Sequence, residues 1–269
     1  MSDHAATAPE AEEAPRKQDV FEGYDPAVKV RTKKMLMYFI IFAIVMLFGG
    51  FTSAMLVMYG GSYWVHITPP TSMWMSLVFL GLSSLTIFLA HRLVKGGKQK
   101  PAFAMVAATF ALGIGFTATQ WSAWNYLSER GMGVTQTVTE AGEKTTWNNI
   151  DEIQGEYGVD FFIYKGAKEN RLVLDKGEYY FASDTLRTEP VTDDIRAQSN
   201  LSSSMVFVLL FAHVVHLLLG LIYLIVNGVR IQLNRINAEN SISLYVNGMY
   251  WHFMGILWVY LFLFLFVFH

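Results

Sequence analysis

Four stretches of this 269-residue chain, 35–90, 101–128, 197–229 and 240–269, contain no Asp, Glu, Lys or Arg. A helix crosses about 30 Å of hydrocarbon with roughly 20 mostly apolar residues. Each stretch therefore holds a crossing, and the first holds two. Charged residues make up 16% of the chain, against about 25% in a soluble domain. The expected fold is all-α, a polytopic membrane bundle of five transmembrane helices with a small extramembrane loop module. The chain has no cysteine, which excludes disulfides, thiolate metal sites and haem attachment through Cys-x-x-Cys-His.

The spans fall at about 35–59, 73–93, 102–126, 202–227 and 243–268. They divide the chain into a polar tail (1–34), helices one to three (35–126), an insertion (127–200) and helices four and five (201–269). The start of the tail is acidic and low in aromatics, as unfolded segments are, and no small-residue cleavage pattern follows the first span, which reads as retained. Lys and Arg cluster in the tail and in the 91–101 and 228–242 turns, whereas the 60–72 link has neither. The insertion carries 14 acids against 8 bases. Positive residues stay inside, so the expected topology is multi-pass, with the N terminus cytoplasmic and the insertion and C terminus outside.

Within the insertion, Leu172-Val173-Leu174, then Asp175-Lys176-Gly177, then Tyr179-Tyr180-Phe181 predicts a β-hairpin. Phe161-Phe162-Ile163-Tyr164 is a third strand candidate. There is no repeat and no phosphate-binding glycine loop, and no nucleic-acid partner is expected.

Polar side chains inside the spans are the best functional pointers, since each unsatisfied one costs several kcal/mol in lipid. The candidates are Ser83, Ser84 and Thr86 in the second span, Gln120 in the third, His213 and His216 in the fourth, and Asn247 and His252 in the fifth. His213 and His216 share a helix face, and His252 reaches a similar depth. Two readings stay open: interhelical hydrogen bonding, or a haem or metal site on imidazoles. No span holds a carboxylate, which argues against proton conduction through this chain. The faces bearing Met73, Trp74, Met75, Trp251 and Trp258 read as lipid contacts and interface belts.

Tyr250-Trp251-His252-Phe253 opens the last span, and His213-Val214-Val215-His216 is followed by Gly220. With Ser83-Ser84 in the second span and Gln120 and Trp124 in the third, these pieces resemble subunit III of the haem-copper oxidases, in a five-span form. The resemblance covers 35–130 and 200–269. It implies an accessory, non-redox subunit of a respiratory cytochrome c oxidase with no catalytic or metal-binding residue of its own. Haem and copper would lie in partner subunits and phospholipid would bind here. Ser83, Ser84, Gln120, His213, His216, Trp251 and His252 would be structural, interhelical or lipid-cleft residues. The main partner would be oxidase subunit I, with subunit II and other respiratory-complex subunits beside it. The role implied is to stabilise subunit I and its lipids and to support proton uptake and durable turnover.

Where relatives keep carboxylates, this chain has Ile44, Ala123 and Gly255. Its match is to the last five of the family's seven helices, the other two being absent or supplied by subunit I. The 127–200 insertion replaces a short connection, and two readings of it stay open: contact with the electron donor or a supercomplex neighbour, or a solvated loop of no specific role. The alternatives are a haem-binding membrane anchor, or a subunit III-like component of a quinol oxidase or nitric oxide reductase.

Overall fold

The computed structural model describes residues 25–133, 136–140, 143–147, 150, 153–166 and 170–268. The acidic start of the tail lies outside these residues. The first helix, α1 (Pro26–Tyr59), begins nine residues before the expected span. Asp25 accepts a hydrogen bond from the Ala27 amide at 2.9 Å, and Pro26 occupies the first turn, where a missing N–H costs nothing. Hydropathy marks only the part of a helix that sits in lipid. The turns before Met35 hold Ala27, Lys29, Arg31, Lys33 and Lys34, all good helix formers, and no Gly, so the helix continues past the apolar stretch.

The remaining spans are α2 (Thr71–Lys95), α3 (Gln99–Glu129), α5 (Leu201–Gln232) and α6 (Ile242–Leu263), the last extended by a π turn over Phe264–Phe268. All five helices are long and apolar enough to cross a membrane. The chain is a polytopic helical membrane bundle, as expected. Short connections end the helices sharply. Gly97 at φ +73° lets Lys98 N–H reach back to the Leu93 carbonyl, and Asn234 at φ +54° does the same for Arg235 and Arg230.

Buried residues on α2 run Met73, Ser76, Leu80, Ser83, Ile87, Ala90, Val94, alternating steps of three and four. Those on α3 run Ala102, Val106, Thr109, Gly113, Phe116, Gln120, Ala123, Leu127 in the same rhythm. A 3–4 stripe on both partners is the pattern of shallow, near-antiparallel packing. The two helices form the most extensive pair in the molecule. α5 packs on α3, and α6 lies against α1, α2 and α5.

The extramembrane strands are β1 (Tyr63–Ile67), β2 (Gln136–Glu140), β3 (Glu143–Trp147), β4 (Phe161–Lys165), β5 (Leu172–Asp175) and β6 (Glu178–Phe181). A short helix, α4 (Thr192–Arg196), precedes α5. The expected hairpin is β5–β6, and its two-residue loop is Lys176-Gly177, both at positive φ, with Asp175 paired to Glu178. The expected third strand, β4, pairs elsewhere. It joins β1 in the first interhelical link, Val65 opposite Ile163.

The outer edge of β1 is closed by the start of α5. Tyr63 N–H donates to Gln198 Oε1 at 3.0 Å and Val65 N–H to Ser202 Oγ at 3.2 Å. Tyr157, held by burial above the usual phenol pKa, donates from its hydroxyl to the Leu172 carbonyl at 2.6 Å. Arg171 lies over the Phe162 ring at 3.9 Å and Lys165 over Tyr63 at 4.6 Å.

Ile163 is fully buried in this sheet. Ile163→Ala is expected to cost about 2–5 kcal/mol of local stability. Trypsin should then cut the 153–181 region faster in detergent-solubilised protein, with the helical circular-dichroism signal unchanged.

Candidate interhelical polar site

Two serines and two tryptophans join α2 to α6. Trp258 Nε1–H donates to Ser76 Oγ at 3.0 Å, and Ser76 Oγ–H donates to the Met73 carbonyl at 2.6 Å. Seven residues along, Trp251 Nε1–H donates to Ser83 Oγ at 3.0 Å, and Ser83 donates to the Leu80 carbonyl at 2.9 Å. Each hydroxyl both donates and accepts, so neither it nor the indole N–H is left unpaired in hydrocarbon. The serines stand seven apart and the tryptophans seven apart, in opposite chain directions. The two rungs therefore fix one antiparallel register.

Further bonds extend from the rungs. Thr86 and Thr109 hydroxyls meet at 2.8 Å between α2 and α3. Tyr250 O–H donates to the His216 carbonyl at 2.8 Å, joining α6 to α5. Tyr260 O–H donates to Thr52 Oγ1 at 3.2 Å, joining α6 to α1. His213 is fully buried, its ring 5.9 Å from that of Phe116 and 5.1 Å from that of Trp258. Its Nε2 lies 3.1 Å from the Met254 carbonyl, which only accepts, so Nε2 carries the proton.

Glycines make the approach of the large rings feasible. A Cβ on Gly113 would stand 2.9 Å from the Trp251 ring and 2.7 Å from Leu221. One on Gly220 would stand 2.9 Å from the Tyr250 ring.

The site residues expected from sequence divide into four groups. Ser83, Trp251 and His213 are brought into the buried network. His216 turns its Nδ1–H to the Ala212 carbonyl at 2.7 Å and its ring to Phe48 on α1. Ser84 and His252 are partly buried and line an outward groove between α2 and α6. The three histidines lie within a few turns of one another in depth but face different neighbours. Among the described residues, no three His, Asp or Glu side chains converge as metal ligands. Gln120 is buried on the α3 stripe, and its amide makes no hydrogen bond among the described residues.

The lipid-facing assignment of Met73, Trp251 and Trp258 is corrected: all three are buried, the tryptophans because their N–H groups are claimed by serines. Trp74 and Met75 are exposed as expected. Sequence reasoning missed Ser76. The available signal was the matched seven-residue spacing of Ser76–Ser83 and Trp251–Trp258.

No family profile matches the chain. A 59-residue stretch, 22% of the chain, is 30% identical to a probable quinol oxidase subunit 3 of Staphylococcus saprophyticus. Over the same length it is 34% identical to probable quinol oxidase subunits 3 of Staphylococcus aureus strains USA300 and NCTC 8325. The match spans 29% of the length of each of these relatives. The chain is thus similar in part to subunit 3 of quinol oxidases.

Ser83→Ala and Ser76→Ala each leave an indole N–H unpaired and are expected to cost about 0.6–1.7 kcal/mol. The rungs are roughly 10 Å apart, so the double variant should show near-additive loss in unfolding from bicelles. Gly113→Val forces Trp251 aside and should cost about 1–3 kcal/mol in the same assay.

Proposed function

We propose that this chain is a subunit III-like accessory component of a respiratory haem-copper oxidase. The observation that carries the proposal is the partial identity to quinol oxidase subunit 3. The buried network supports it, because hydroxyls, indoles and an imidazole, without a carboxylate, join the helices. In this reading the haem and copper belong to subunit I, which this chain stabilises together with bound phospholipid. It also supports proton uptake into subunit I and durable turnover. Subunit II and other respiratory-complex subunits are the further partners.

The proposed orientation places the N terminus in the cytoplasm and the 127–200 insertion in the periplasm of a bacterial inner membrane. The insertion, with its excess of acids, would meet a basic electron donor or a supercomplex neighbour. Cytochrome c is the proposed electron donor. Quinol is the second reading, favoured by the printed names of the relatives.

The test is to delete the chain in its native host and purify the oxidase. The expected enzyme keeps its haem spectrum and its initial rate but loses activity over fewer turnovers. A Soret band intrinsic to the isolated chain would overturn the accessory reading. Assay with reduced cytochrome c against a reduced quinol decides the donor. Because the chain lacks cysteine, single cysteines at positions 29 and 165 should react with impermeant maleimides from opposite sides of the membrane.

A further inference from the structure

α6 presents two faces of different character. Its inner face is sealed by the serine rungs and by α5. Its outer face, with α2, forms a groove of about 700 Å³ that continues through His252 into a recess of about 290 Å³. From Tyr245 to Leu263 the groove runs along roughly 27 Å of helix, close to the thickness of the hydrocarbon layer. Gly81 leaves it open: a Cβ there would meet nothing within 4 Å.

Two polar side chains line this groove at mid-depth. Ser84 stands near the midpoint of α2 and His252 near the midpoint of α6 with its π turn. Neither forms a hydrogen bond, ion pair or ring contact among the described residues, whereas the neighbouring Ser83, Trp251 and Thr86 are all bonded. An imidazole facing hydrocarbon without a partner is costly, and intramembrane His side chains face protein or water. An acyl chain does not relieve this cost, because the polar atoms of a lipid sit at the interface, about 15 Å away from mid-depth.

We infer that the α2–α6 groove is the docking face for a transmembrane helix of another polypeptide. That helix carries a hydroxyl, carboxamide or carboxyl side chain at the depth of His252 and Ser84. Such a group both donates and accepts, matching a neutral imidazole and a serine hydroxyl. Gly81 lets its backbone approach closely, as small residues do at helix contacts in membranes. The inference rests on the accessory-subunit reading only for the partner's name.

A photoreactive benzoylphenylalanine placed at Ile256, 70% exposed in the groove, and at Trp121, 62% exposed on α3, tests this in native membranes. The expected adduct forms from Ile256 with a different membrane polypeptide. Its cross-linked peptide lies in a transmembrane segment with a polar residue within one turn. Its yield exceeds that from Trp121 and falls about fivefold on combining His252→Leu with Ser84→Ala, while His252→Gln retains it. Adducts to lipid alone, adducts to a second copy of this chain, equal yield from Trp121, or a yield indifferent to the double variant would each overturn the inference. An adduct of the expected kind to a polypeptide outside any oxidase supports the groove and removes the proposed function. Oxidase subunits cross-linked from Trp121 alone remove the groove and leave the function standing.

Discussion

Hydrocarbon supplies no hydrogen-bond partner, so a hydroxyl or indole N–H buried in a membrane bundle is costly unless the protein supplies one. In this chain the Ser76–Trp258 and Ser83–Trp251 rungs do so for two buried indoles, whereas the buried Trp124 indole N–H has no acceptor among the described residues. Sliding α6 by one residue along α2 would break both rungs and leave two indole N–H groups unpaired at once. The other α6 bonds depend on that register, because Tyr250 reaches α5 and Tyr260 reaches α1 from positions the rungs set. Helix α6 is the most buried of the five spans, and the bundle is organised around it.

Packing and polarity act together at these joints. Trp251 reaches Ser83 only because Gly113 offers no side chain in its path, and Tyr250 reaches the His216 carbonyl across Gly220. Small residues in membrane helices admit close backbone approach. Here they also admit large rings whose polar tips carry the hydrogen bonds.

The five spans were legible because charge is excluded from lipid, a signal carried by every residue of a span. The β5–β6 hairpin was legible for a local reason: two residues at positive φ between alternating apolar residues. Helix rotation was not legible from hydropathy, since both faces of a lipid-facing helix are apolar. Trp251 and Trp258 were therefore placed in lipid when their indoles are buried. The 3–4 stripe on α2, with Ser76 and Ser83 among its members, carries the rotation. It becomes meaningful only beside the matching spacing on α6. The β1–β4 pairing was hidden because its strands lie about 100 residues apart and neither carries a turn signal toward the other.

That long-range pairing gives the insertion a mechanical role in the bundle. β1 follows α1 and leads into α2, while β4 lies between α3 and α5. Their antiparallel sheet ties the first interhelical link to the third, and Gln198 and Ser202 fasten its outer edge to the start of α5. An unprotected strand edge would be a template for foreign pairing, and here the side chains that close it come from the first turn of α5 and the residues just before it. At one end of the bundle the helices are thus joined by a sheet, and at the other by short turns such as that at Gly97. With both ends tied and the α2–α6 register fixed by the two rungs, the helices that line the outer groove at His252 and Ser84 are positioned before any partner arrives, and such preorganisation lowers the ordering entropy lost on contact.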